Sequence, residues 1–130
     1  MKIIKTANYI KLAEFSPKDY INIGYSLMEL GNYDYETGGA FSGEESSIPG
    51  YNDIIETENI VSLGRYFYGS NGNVSVRDIS FDEINGAIRE LQNIININSN
   101  LIQPFDEEKI RNIKILISQL YKIFEGIITV

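Results

Sequence analysis

Ile60-Val61-Ser62-Leu63-Gly64-Arg65-Tyr66-Phe67-Tyr68, then Gly69-Ser70-Asn71-Gly72, then Asn73-Val74-Ser75-Val76-Arg77-Asp78-Ile79, is the stretch on which the fold turns. Its first part is dense in β-branched and aromatic residues, its middle is a turn signal, and its last part alternates apolar with polar side chains. That order predicts a β-hairpin over 59–79, with Gly64 as a candidate bulge. A lone hairpin is marginally stable in water, so it must lie on helices or gain a third strand to form a small antiparallel sheet. Residues 54–58 or 2–5 are the candidates for that strand.

Helices are predicted on either side. Upstream, Ser16-Pro17-Lys18-Asp19 combines a cap, a proline suited to the first turn and a capping-box acid. Tyr20, Ile23, Leu27 and Leu30 then recur on one helical face, and Gly31 can stop the helix, which predicts a helix over about 17–30. Ile3, Ala7, Ile10 and Glu14 fit a further short helix, within a helical part over 1–30. Downstream, Ser80 with Glu83 reads as a second capping box, ahead of Ile84, Ile88, Leu91 and Ile95. Ser99-Asn100 breaks that run, and Pro104 with Asp106, Glu107 and Glu108 opens another helix. Its apolar row is Ile110, Ile113, Ile117, Leu120, Phe124 and Ile127, with Ile117 and Leu120 on the densest face.

The expected fold is therefore α+β. It is a helix-dominated single domain over 1–130, with a β-hairpin followed by a C-terminal antiparallel helical hairpin over 81–128. A chain of 130 residues is the size of one domain, commonly about 100–150 residues.

Between helix and hairpin, residues 31–53 read GNYDYETGGAFSGEESSIPGYND, with five glycines and neither a helical nor a strand period. A loop this long in a small domain is either functional or disordered. It also lies within the strongest charge asymmetry of the chain. Residues 19–64 contain nine acids and no lysine or arginine, whereas residues 1–18 carry +3 and residues 65–130 carry −1, giving −7 overall. Seven of the nine tyrosines fall between Tyr20 and Tyr68. Acids steer a basic partner and tyrosines supply contact area with few rotatable bonds. Tyr33, Asp34, Tyr35, Glu36, Phe41, Glu44, Glu45, Tyr51 and Asp53 are accordingly the candidate partner-binding residues. The competing reading is a solvated acidic loop whose tyrosines pack down on the domain.

Other chemistries find little support. The chain has no cysteine and no histidine, which removes disulfides, thiol nucleophiles, imidazole bases and the common zinc sites. Asp34, Glu36, Glu44 and Glu45 offer oxygen ligands but lack EF-hand spacing, so no metal and no cofactor are expected. Phosphate-cradling signatures are absent. Arg65 and Arg77 flank Tyr66, Phe67 and Tyr68 in a pattern that a base-stacking platform would use. With only eleven basic residues, direct nucleic-acid binding is not expected.

No stretch has signal-peptide form, and the longest apolar-rich run, residues 110–130, is broken by Arg111, Lys114, Lys122 and Glu125. The expected location is the cytoplasm. Abundant isoleucine, asparagine, lysine and tyrosine with scarce alanine fit AT-rich coding DNA, as in a low-GC bacterium, a phage or another mobile element. The opening MKIIKTANYIKLA resembles the starts of small phage and mobile-element proteins and carries no functional motif.

The sequence thus points to a non-enzymatic protein-binding factor, a monomer or homodimer. It would be an inhibitor or an immunity or anti-defence protein blocking a basic surface of a partner such as a nuclease or toxin. The alternative is a structural or assembly subunit, for example of a virion, self-associating through its C-terminal helix.

Overall fold

A computed structural model describes residues 15–32, 56–101 and 104–129, with side chains up to residue 126 in the last segment. All regular structure among them is helical: α1 is Pro17–Gly31, α2 Glu58–Gly69, α3 Phe81–Ile97 and α4 Glu107–Thr129. Short 3-10 turns at Val76–Asp78 and Asn98–Asn100 precede and follow α3.

The β-hairpin expected over 59–79 is not formed, and α+β is corrected to an all-helical fold among the described residues. The buried side of residues 58–69 explains why. Ile60, Leu63, Gly64 and Phe67 are the buried positions, spaced i, i+3, i+4 and i+7, which is one face of a helix. The β-branched and aromatic content of this stretch favours a strand, but a stripe that buries three large side chains outweighs a propensity spanning about 1 kcal/mol. Asn71 and Gly72 do take left-handed φ values, 60° and 78°. They terminate α2, with the Gly72 N–H donating to the Phe67 carbonyl at 3.0 Å, instead of joining two strands. An added Cβ at Gly72 would overlap the Pro17 carbonyl, so this turn also seats the start of α1. Of the proposed third strands, 56–58 lead into α2; 2–5 and 54–55 lie outside the described residues, as does the short helix expected upstream of residue 15.

α1 forms where its signals lie. The Asp19 N–H donates to Ser16 Oγ at 3.2 Å and the Ser16 N–H donates to Asp19 Oδ2 at 3.0 Å, completing the capping box. Tyr20, Ile23, Leu27 and Leu30 are buried. The second box is only half made. Ser80 Oγ accepts from the Glu83 N–H at 3.4 Å, but the Glu83 carboxylate turns to the Ser62 hydroxyl on α2. At α4, Asp106 caps the Lys109 N–H at 2.8 Å. Asn98 clamps the α3–α4 connection, its amide donating to the Phe105 carbonyl and accepting the Phe105 N–H.

The helices pack in sequence, α1 on α2, α2 on α3 and α3 on α4, around one apolar cluster centred on Phe67, Leu27, Leu63, Ile84, Leu91 and Leu120. Two devices fix the pairings. α1 crosses α2 at Gly24 and Gly64, where an added Cβ on Gly24 would lie 2.8 Å from Tyr68 N and one on Gly64 2.9 Å from the Gly24 carbonyl. Backbone meets backbone there. On the other side of α2, the carboxylate of Glu90 on α3 accepts from the Ile60 N–H at 2.9 Å, the Asn59 N–H at 3.2 Å and Asn59 Nδ2 at 2.9 Å. Glu90 is thus a tertiary cap for a helix whose own Thr57 makes no side-chain cap. Glu90→Ala should cost about 2–3 kcal/mol by urea unfolding, because it strands the buried Ile60 N–H and the Asn59 N–H. Glu90→Gln, which keeps one acceptor oxygen, should cost less than half of that.

Tyr20 carries a titratable group inside this core. Its ring packs edge-on against Phe67 and Phe15, at centroid distances of 5.1 and 5.7 Å. Burial, and secondarily the neighbouring Tyr66, pushes its pKa above the usual 10.0. The folded state therefore holds this proton more tightly than the unfolded chain does. Its contribution is fully present below about pH 10 and is lost as pH climbs towards the raised native value. Thermal melts between about pH 9 and 11.5 should show a fall that Tyr20→Phe makes shallower.

Candidate functional site

All nine candidate partner-binding residues, Tyr33, Asp34, Tyr35, Glu36, Phe41, Glu44, Glu45, Tyr51 and Asp53, lie outside the described residues. What the structure describes is the frame from which that segment departs. α1 ends and α2 begins side by side: Gly31 is pressed so close to α2 that a Cβ there would overlap Val61 and touch Ile60. The acidic segment therefore leaves and re-enters the fold at one end of the α1–α2 pair. Its flanks carry acids too, since Glu29 lies in the last turn of α1 and Glu58 opens α2, with Glu56 just before it. Glu29 pairs with Lys109 of α4 at 3.3 Å, and both side chains remain about one-third exposed. A pair so exposed contributes little to stability.

The aromatic run near Arg65 and Arg77 does not make a platform. Phe67 is fully buried, and the Tyr66 hydroxyl accepts the Ser75 N–H at 3.2 Å. Tyr68 lies half exposed against Tyr25, with 6.2 Å between centroids. Helical geometry sends the three rings to different sides.

A groove that the sequence did not reveal runs between α1 and α4, enclosing about 350 Å³. Ile23 and Leu30 of α1 with Ile113 and Leu116 of α4 form its floor. Asn22 and Ser26 stand on one rim, Asn112 and Gln119 on the other, and Ile115 borders it half exposed. The Glu29–Lys109 pair sits across one end, and Asp19 lies near the opposite end. Nothing local in the sequence signals this groove, because it arises from two helices far apart in the chain that approach without closing on each other.

Among the described residues no three acidic side chains gather into a potential metal site, and every buried side-chain nitrogen or oxygen has a hydrogen-bond partner. No helix among them is long and apolar enough to cross a membrane. A scan against protein-family models and searches of curated proteins and of solved structures find no match to the chain.

Proposed function

We propose that this chain is a non-enzymatic protein-binding factor that covers a basic surface of a partner protein, acting in the cytoplasm as an inhibitor or an immunity or anti-defence protein. The observation that carries this reading is the charge distribution: nine acids and no lysine or arginine over residues 19–64, interleaved with tyrosines on a glycine-rich segment. The helical frame supports it, because the described residues next to the segment on both sides include further carboxylates, Glu29, Glu56 and Glu58. Nucleases and nucleic-acid-directed toxins are the partner class whose surfaces are basic by necessity. Residues 31–53 would form the contact with that surface, with the tyrosines as anchors and the acids as steering charges.

Affinity capture from the source cell, read by mass spectrometry, identifies the partner, and dissociation of the pure pair then tests the loop. Tyr33→Ala or Tyr35→Ala should speed dissociation by about 5–30-fold, the equivalent of roughly 1–2 kcal/mol. Unchanged dissociation in both variants would place the interface elsewhere. Self-association through α4 is the second reading, favoured by Ile115 and Tyr121, which are 49% and 44% exposed. Light scattering at micromolar concentration separates the two: the blocker is a monomer, the assembly subunit a defined oligomer.

A further inference from the structure

We propose that the groove between α1 and α4 holds an extended, lysine- or arginine-bearing segment of a partner protein by its backbone. The walls are two helical stripes of matching length, from Asp19 to Glu29 on α1 and from Lys109 to Gln119 on α4. Each rises about 15 Å, the length of roughly five residues of extended chain. Lys109 meets Glu29 at 3.3 Å, so the stripes run in opposite directions and Gln119 lies towards the Asp19 end.

The floor decides what kind of contact the groove can make. Ile23, Leu30, Ile113 and Leu116 are each no more than 6% exposed, so an occupant gains little by covering them further. The unused binding capacity is polar. Among the described residues, Asn22 and Ser26 on one wall and Asn112 and Gln119 on the other make no side-chain hydrogen bond. Each amide sets a donor beside an acceptor, the complement of a peptide unit. An extended segment between the walls would bond to them through its own N–H and C=O groups, with alternate side chains turned to the floor and to water. An apolar side chain near the rim would meet the half-exposed Ile115. The charge of the occupant follows from the ends. Glu29 and Lys109 satisfy each other, whereas Asp19 pairs with no cation among the described residues and engages only Oδ2, which accepts from the Ser16 N–H. A lysine or arginine at one end of the segment is the partner that Asp19 lacks. The proposal rests on the reading of this chain as a protein-binding factor with a basic partner.

Synthetic peptides test it without a captured partner. Acetylated pentapeptide amides, randomised except for a lysine at the first or the last position, are selected on the immobilised full chain beside a pool with glutamate in its place. The best binder is then titrated into labelled protein by NMR. Lysine-ended peptides should be enriched over glutamate-ended ones, and the side-chain amide signals of Asn22, Asn112 and Gln119 should move together. N-methylation of alternate backbone nitrogens should weaken binding about tenfold or more, and so should Asn112→Ala combined with Gln119→Ala. Both of those side chains are exposed, so the double variant should melt like wild type. Asp19→Asn, which keeps an acceptor for the Ser16 N–H, should weaken the lysine-ended peptide severalfold and flatten its salt dependence. No enrichment over the glutamate pool, shifts confined to other residues, or equal binding of the N-methylated peptide would each overturn the proposal. Such a failure removes the groove alone, whereas the reading of residues 31–53 stands or falls on association with the captured partner.

Discussion

Gly64→Val is expected to remove about 4 kcal/mol of stability, at the upper end of what a single substitution does. The reason is what surrounds the missing side chain. A Cβ at residue 64 would lie 2.9 Å from the Gly24 carbonyl oxygen and 3.0 Å from Met28 N, both backbone atoms of α1. Neither can rotate aside as a side-chain tip would, so the helices must separate and loosen the packing of Phe67, Leu27 and Leu63. The two extra methyl groups of valine add to the overlap. Gly64→Ala should be milder, since about 1 kcal/mol of helix propensity offsets part of the collision. Gly69 is the control. A Cβ there meets nothing within 4 Å, so Gly69→Ala should be neutral or stabilising by up to about 1 kcal/mol. Urea unfolding of the three variants checks the crossing. If Gly64→Val behaves like Gly69→Ala, α1 and α2 do not meet there.

Leu120→Ala should cost about 3–4 kcal/mol, and Ile117→Ala less than half as much, although both sit mid-helix in the same apolar row. The row Ile110, Ile113, Ile117, Leu120 and Phe124 is spaced evenly, and spacing alone puts its centre at Ile117. In the folded protein the centre is displaced by a fraction of a turn. Ile113, Leu116, Leu120 and Ile123 are buried, while Ile110, Ile117 and Phe124 flank the core part-exposed. Leu120 has no exposed surface, so truncation leaves a cavity that only a shift of α3 or α4 could fill. Equal losses at the two positions, again by urea unfolding, would mean that α4 is rotated relative to this arrangement.

The same displacement shows what the chain discloses locally. Where an apolar row agreed with a cap the helix was legible, and at Ser16 with Tyr20, Ile23, Leu27 and Leu30 its buried face was legible too. Residues 60–68 misled because two periods coexist there. Ile60, Leu63 and Phe67 mark a helix, while the β-branched and aromatic neighbours between them mimic a strand. Gly64 looked like a bulge because its purpose, the approach of Gly24 from α1, is a tertiary fact. Glu90 was invisible for the same reason: a carboxylate on α3 that caps α2 has no signature within its own segment. Of the candidate site, only its chemistry was legible, in the acids and tyrosines of 31–53. The structure adds the helical frame from which that segment departs and the groove beside α1.

The proposed function rests on steering by that acidic segment, and association kinetics with the captured partner test it most directly. With Glu36, Glu44 and Glu45 all changed to lysine, the association rate at low salt should fall by about tenfold or more and its dependence on ionic strength should flatten, while the melting temperature stays close to wild type. A triple variant that associates as fast as wild type, with the same salt dependence, would contradict the account.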